Sequence, residues 1–407
     1  MSAIKNTNSL ESTTAERVEG AFAFLQGDRI IWLVVLALFV FSMLAVYSAS
    51  VTLAYKNYDG DTSQLLIKQI GMSVAGLLLM YLAHLVDYRY YSRIAQILWW
   101  ASIPLLIYTM FWGAKINSAS RWIKIPLIGF TIQTSDLAKL ALIMLLARML
   151  SKKQEEMEDF KGTVLPILGY IIVPVILIAK DNLSTALILF FTSVFILFIG
   201  RVAIKHLALL FGASGLVLAL FVTLLLNLPD SMVEGKGRLG VWKNRIETHF
   251  MGKQDDDDTY QQRQAATAIA LGGTLPNGPG NSLQRYYLPE AYSDFIYAII
   301  IEEYGLVGGV VIVFVYLLLL YRCIKIVIEA PKAFGAFLAA GLGVSLVLQA
   351  MINMSVAVGL FPVTGVTLPL VSMGGSSVVF TSIAFGIILS VSRDNQLNSE
   401  QENLAVA

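Results

Sequence analysis

The sequence predicts an all-α membrane protein with about ten transmembrane helices and one large extracytoplasmic loop. Of its 407 residues, 57% are hydrophobic and only 14% are charged, whereas soluble domains carry about 25% charged residues. A single soluble core of this length cannot bury so much apolar surface, so lipid must be part of the solvent. The apolar residues also fall in runs close to the roughly 20 residues needed to cross a bilayer core of about 30 Å. One stretch of 66 residues, 228–293, interrupts those runs with polar sequence.

In chain order, residues 1–28 are polar and read as a cytoplasmic N-terminal tail. The first apolar run, 30–49, ends in Ser-Ala-Ser like a cleavage site. It is longer than the roughly 7–15 residues of a signal-peptide core, so it reads as an uncleaved first helix. Helices are expected near 30–50, 66–86, 93–112, 134–150, 163–179, 183–200, 206–227, 294–321, 333–355 and 375–392. The membrane domain thus covers 29–393, and 394–407 forms a C-terminal tail on the same side as the N-terminus.

Orientation follows from lysine and arginine in the short loops. With the N-terminus inside, fifteen of these residues lie in cytoplasmic segments and six in short outer loops. Both termini are therefore expected in the cytoplasm and the 228–293 loop outside. Trp242, Phe250, Tyr260 and Tyr286 in that loop argue for an ordered structure. Asp255–Asp258 reads either as a solvated turn or as a divalent-cation site. No internal repeat is visible, so inverted-repeat transporter architecture finds no support.

A net charge of +1 leaves no basic excess that would suggest nucleic acid as a partner. The one cysteine, Cys323, excludes an intrachain disulfide and reads as a packing or lipid-facing residue. Three scattered histidines do not make an ordinary metal site, so no metal ligands are assigned.

Polar groups in or beside a membrane must be paired, hydrated or functional, and five places hold them. The 115–136 loop sets Arg121 and Lys124 beside Trp122, where they either grip phosphate or anchor the loop at lipid headgroups. At the start of the fourth helix, Asp136 and Lys139 share a helical face and read as an internal ion pair. The KDNLST turn at 180–185 is explained by side-chain caps. In YLPEAYSDFIYAIIIEEYG, 287–305, Ser293 reads as a helix cap and Asp294 as either a capping or a functional carboxylate. On an ideal helix Glu302 would lie about 80° around from Asp294 and roughly 12 Å deeper. Glu303 would face the opposite side, so at least one of the two glutamates serves packing. Finally, the Gly- and Pro-broken stretch 353–377 reads as a re-entrant element lining a cavity.

Four segments, YLPEAYSDFIYAI, Gly280-Asn281-Ser282, Ser120-Arg121-Trp122 and FPVTGVTLPLVSMGGSS, closely resemble the SEDS family of peptidoglycan glycosyltransferases. The resemblance covers nearly the whole apolar chain, and the GNS and YLPEA motifs favour the FtsW-like division branch over the RodA-like elongation branch. It implies a polymerase of lipid II, the undecaprenyl-diphosphate-linked disaccharide pentapeptide, acting at the outer face of the cytoplasmic membrane at the division septum. It also implies a class B penicillin-binding protein, other divisome proteins and membrane lipids as partners. The family's essential aspartate maps onto Asp294, its arginine before tryptophan onto Arg121 and its fourth-helix lysine onto Lys139. The expected substrate contacts are Arg121, Lys124, Lys139, Asn281, Ser282 and Glu290, with Asp294 as general base. The chain departs from the family at Gln133-Thr134-Ser135-Asp136, at Pro276 and at Asn182, where a carboxylate is usual. A divalent cation is left undecided. A lipid II flippase and an elongation-type polymerase are the alternative readings, with a scaffold for a partner transpeptidase as a third.

Overall fold

A computed structural model of the chain describes residues 26–116, 119–124, 131–229, 238–251 and 256–406. The elements in order are α1 (Arg29–Ala49), α2 (Val51–Asn57), α3 (Thr62–Leu85) and α4 (Tyr88–Trp112), then strands β1 (Ala114–Ile116), β2 (Ala119–Lys124) and β3 (Thr131–Gln133). The helices α5 (Thr134–Lys152), α6 (Leu165–Ala179), α7 (Leu183–Ile199) and α8 (Ile204–Asn227) follow. The polar stretch contributes α9 (Arg238–Met251) and α10 (Asp256–Gly272), before α11 (Ile296–Glu329), α12 (Ala333–Ala357) and α13 (Gly375–Val406) close the chain. The acidic run Asp255–Asp258 lies outside the residues whose side chains are described.

Each of the ten expected segments holds a helix. Among the described residues, eight helical stretches are long and apolar enough to cross a membrane. The two that fall short do so for different reasons: α7 has only 17 residues, and α5 carries Asp136, Lys139, Arg148 and Lys152. Thirteen side chains of α5 are nonetheless buried, because α4, α12 and α7 pack around it. The helix is thus shielded by protein, which is where charged groups at membrane depth are tolerated. By contrast, Leu216, Val217 and Leu224 of α8 are 63%, 66% and 68% exposed, an apolar surface of the kind a membrane covers.

Local chemistry sets the helix starts. Asp28 accepts hydrogen bonds from the N–H groups of Ile30 and Ile31 at 2.9 and 3.1 Å. It also accepts from Arg322 Nε at 2.7 Å, joining the beginning of α1 to the far part of α11. Asp61 and Asp87 cap α3 and α4. Asn182 caps α7 by accepting from the Thr185 N–H at 3.2 Å, so the KDNLST turn is capped as expected. The residue before the Asp28 cap meets α13, with the Gly27 N–H donating to Gln396 Oε1 at 3.0 Å and Gln396 Nε2 to the Gly27 carbonyl at 3.2 Å.

Three expectations are corrected. The expected 115–136 loop contributes to an antiparallel sheet in the order β1-β2-β3, with Trp122 opposite Gln133. Strands of three to six residues are too short to show a clear period in sequence. Ser293 is not the cap of the eighth long helix: Phe295 holds that position and α11 starts at Ile296. That helix is also not continuous. Gly305 sits at φ 67° and ψ −176°, a backbone region essentially restricted to glycine. The groups freed at this break are taken by the loop: the Leu306 N–H donates to the Gly273 carbonyl at 3.0 Å, and the Gly278 N–H to the Glu303 carbonyl at 2.9 Å. Asn277 Nδ2 donates to the Glu302 carbonyl at 3.0 Å.

The stretch 358–374 is irregular. It lies at the beginning of α11 and α13, the end of the bundle away from the Gly27–Gln396 pair. Tyr316 donates to the Pro369 carbonyl at 2.6 Å, and Ser42 to the Val371 carbonyl at 2.8 Å. Protein thus surrounds a non-helical backbone and satisfies it, as membrane depth demands.

Candidate active site

A cleft of about 620 Å³ opens between the approach to α11, strands β2 and β3, the 358–374 stretch, and side chains from α9 and α10. The approach to α11 is a tight turn. Glu290 adopts φ 54°, and its carbonyl accepts the N–H groups of Ser293 at 3.0 Å and Asp294 at 3.1 Å. This turn, two residues ahead of the helix, brings Asp294 to the cleft wall instead of the helix N-terminus. Ser293 Oγ donates to Glu290 Oε2 at 3.0 Å, so both acidic residues border the same space.

Arg121 faces them from β2. Its Nε donates to the Asp181 carbonyl at 2.9 Å, and its guanidinium carbon lies 5.8 Å from the Trp122 ring centroid. Gly365 reports how close the two charged groups come. A Cβ built there would stand 3.3 Å from Arg121 Nη1 and 3.6 Å from Asp294 Oδ2. The glycine keeps open the space into which guanidinium and carboxylate both point.

Buried amides on α12 hold this arrangement from behind. Asn353 Nδ2 donates to the Asp294 carbonyl at 2.8 Å and the Val366 carbonyl at 2.7 Å. Gln349 Nε2 donates to the Thr367 carbonyl at 3.0 Å, while its Oε1 accepts from Lys139 Nζ at 2.7 Å. Lys139 also pairs with Asp136 at 3.6 Å, as expected from their spacing. Lys139 therefore stands behind the wall, one side chain away from the cleft. On the other side, Ser372 Oγ donates to the Ser293 carbonyl at 2.6 Å.

The carboxyl of Asp294 is pushed up to about 7, by loss of solvent first and then by the charge of Glu290. Arg121, Arg245 and a hydrogen bond from Ser293 oppose that rise. Such a group is half-ionised near neutrality, the condition in which a carboxylate both accepts and releases a proton readily.

Of the residues singled out in sequence, the cleft unites Arg121, Glu290 and Asp294. Lys124 is exposed at the end of β2 and does not line the cleft, although Thr131, its partner across the sheet, does. Asn281 donates to the Asn277 carbonyl at 2.7 Å. Ser282 Oγ donates to the Glu302 carboxylate, which also accepts the N–H groups of Leu283 and Gln284 at 2.9 and 3.1 Å. The Gly-Asn-Ser turn and Glu302 thus build the loop that leads to the cleft. Glu303 accepts from Ser48 on α1, so both glutamates are structural. Among the described residues, no group of three His, Cys, Asp or Glu side chains is gathered to hold a metal.

Four contributors were missed. Gln349 and Asn353 did carry a signal, since they stand four residues apart as lone amides in an apolar helix. Arg245 and Gln261, which reach the cleft from α9 and α10, carried none, because polar residues are ordinary in a polar loop.

The family described as "Cell cycle protein", which groups FtsW, RodA and SpoVE, matches residues 28–397. A probable peptidoglycan glycosyltransferase FtsW of Trichlorobacter lovleyi is 34% identical over 376 residues, 91% of this chain and 94% of its own. The stage V sporulation protein E of Bacillus subtilis is 33% identical over 372 residues, 90% of this chain and 97% of its own. Among solved structures, a chain of a peptidoglycan synthase complex that coordinates polymerization and crosslinking superposes with a TM-score of 0.73 at 27% identity, covering 91% of this chain and 98% of that one. The rod shape determining protein RodA of Thermus thermophilus superposes at 0.63 with 26% identity, covering 91% and 97%.

Proposed function

Since the chain belongs to the FtsW, RodA and SpoVE family of cell cycle proteins, we propose that the Asp294–Arg121 cleft is where it joins lipid-linked saccharides into glycan strands. The protein is a multi-pass membrane peptidoglycan glycosyltransferase of the division type, like its FtsW relatives. The observation that carries the site assignment is the convergence of Asp294 and Arg121 on the space beside Gly365.

The reaction assigned to the cleft consumes lipid II. The 4-hydroxyl of the acceptor's terminal sugar attacks the anomeric carbon of the donor sugar. A carbon–oxygen bond forms there as the bond from that carbon to the donor's diphosphate breaks. The bonding electron pair leaves on the diphosphate oxygen, and the hydroxyl proton passes to the Asp294 carboxylate. A base whose carboxyl titrates at about 7 suits that transfer. Arg121 supplies a planar cation to the departing diphosphate, where charge grows in the transition state. Glu290 orders the turn that carries Asp294 and keeps its carboxyl high. Lys139 supports the wall through Gln349.

Both chain ends are assigned to the cytoplasm and the cleft to the outer face, on the lysine and arginine bias. The septum is the proposed location. A class B penicillin-binding protein is the proposed partner, supported by the likeness to a chain of a synthase complex; other divisome proteins belong to the same reading. The decisive experiment uses purified protein, its partner transpeptidase and purified lipid II. Asp294→Asn should insert and bind its partner normally while polymerising about 10²–10⁴-fold more slowly. Near-parental polymerisation by that variant would refute the assignment of the base.

A further inference from the structure

The assigned reaction has a requirement that one arginine does not meet. Donor and acceptor are both polyprenyl diphosphates. The donor's diphosphate departs, while the acceptor keeps its own and must still be held while its distant hydroxyl attacks. Two anionic groups are therefore present at once. A guanidinium matches one phosphate group through its planar fork, and Arg121 is already assigned to the leaving side.

The outer loop brings a second guanidinium to the cleft. Arg245 lines it from α9, and Gln261 lines the same space from α10. Neighbouring residues seat α9 firmly. Trp242 packs edge-on against Phe221 of α8 with ring centroids 5.7 Å apart. Lys243 Nζ donates to the Leu228 carbonyl at 2.6 Å and pairs with Glu247 at 3.7 Å. Lys243 and Glu247 are only 5% and 8% exposed, whereas Arg245 keeps surface toward the cleft. On the opposite side of the loop, α10 is anchored to α11: a Cβ at Gly272 would lie 2.1 Å from the Ile301 carbonyl oxygen. The two helices that carry Arg245 and Gln261 are thus docked on membrane helices. Arg121, Arg245 and Asp294 line one cleft, and the two separately mounted cations both favour the charged form of the carboxylate.

We propose that Arg245, with Gln261 beside it, forms a second diphosphate subsite, so that the outer loop holds the acceptor while Arg121 holds the donor. This rests on the glycosyltransferase reading. The subsite makes α9 and α10 part of the substrate-binding surface.

The test measures equilibrium binding of fluorescent lipid II to the purified full-length chain in nanodiscs, in an Asp294→Asn background that halts turnover. Two molecules should bind per chain. Arg245→Ala should weaken one of the two sites by about tenfold or more, the size expected for losing a charge-assisted contact, and leave the other unchanged. Arg121→Ala should weaken the other site, and the double variant both. Arg245→Lys should fall between, since it keeps the charge and loses the fork; it carries the test if the alanine variant does not fold. Two unchanged sites in Arg245→Ala or Arg245→Lys overturn the proposal, as does a single site in the background protein that Arg121 alone controls. A background protein that binds no lipid II overturns the glycosyltransferase reading itself, a result distinct from the others.

Discussion

If Asp294 is the base, polymerisation must follow its ionisation, and the neighbouring charges must move that dependence in opposite directions. A carboxyl at about 7 is ionised in about one molecule in eleven at pH 6 and about ten in eleven at pH 8. The initial rate at saturating lipid II should therefore rise about tenfold over that interval and then level off. An aspartate at its ordinary value would be ionised throughout and would produce no such limb. Glu290→Gln removes the like charge that is the second cause of the rise, so the limb should move to lower pH. Arg121→Lys keeps a cation and should move it little. Arg121→Ala removes an opposing cause and should move it to higher pH, in addition to slowing the reaction. The assay is strand synthesis from purified lipid II with the partner transpeptidase, buffered in half-unit steps from pH 5.5 to 8.5. A flat profile in the parent, or limbs that move the same way in Glu290→Gln and Arg121→Ala, would refute the reasoning.

Arg121→Ala should raise the lipid II concentration needed for half-maximal rate by about tenfold or more, with Arg121→Lys recovering part, as for losing about 1.5–3 kcal/mol of charge-assisted contact; equal titrations of all three proteins would remove Arg121 from the site. Gly305→Ala should lower the thermal midpoint in detergent. Its φ of 67° excludes an L side chain at a cost of about 1–3 kcal/mol, and the added Cβ would meet the Leu275 backbone at 2.7 Å. An unchanged melt would show that the break in α11 is not built around this residue. In a Cys323→Ala background, cysteines at Tyr287 and Leu360 should react with an impermeant maleimide in intact cells, while one at Lys152 should react only after the membrane is opened. Labelling of Lys152→Cys first would invert the orientation and move the cleft away from substrate outside.

Much of the architecture was legible in the sequence because membrane crossing is a one-dimensional constraint. A run such as 206–227 must be a helix to satisfy its own backbone in lipid, whatever else surrounds it, and α8 covers Ile204–Asn227. Pairs that sit a helical turn apart were legible for the same local reason, as Asp136 with Lys139 shows. Asp294 and Arg121 were found through motifs, which record function without geometry.

What the sequence could not determine was set by contacts between distant segments. No local pattern shows that the helix begins two residues after Asp294, because the turn before it is held by Ser372, 79 positions beyond the Ser293 whose carbonyl it binds. Nothing in the sequence around Lys139 says that it meets Gln349, 210 positions on, instead of substrate. Arg245 is one basic residue among several in a polar loop until Trp242 docks on Phe221 and turns it toward the cleft. The sequence by itself determined which segments enter the membrane, since burial of apolar surface and backbone satisfaction act on each run separately. Only the tertiary structure decided which polar groups share a cleft, because short-range hydrogen bonds and charge interactions depend on distances that chain separation does not contain.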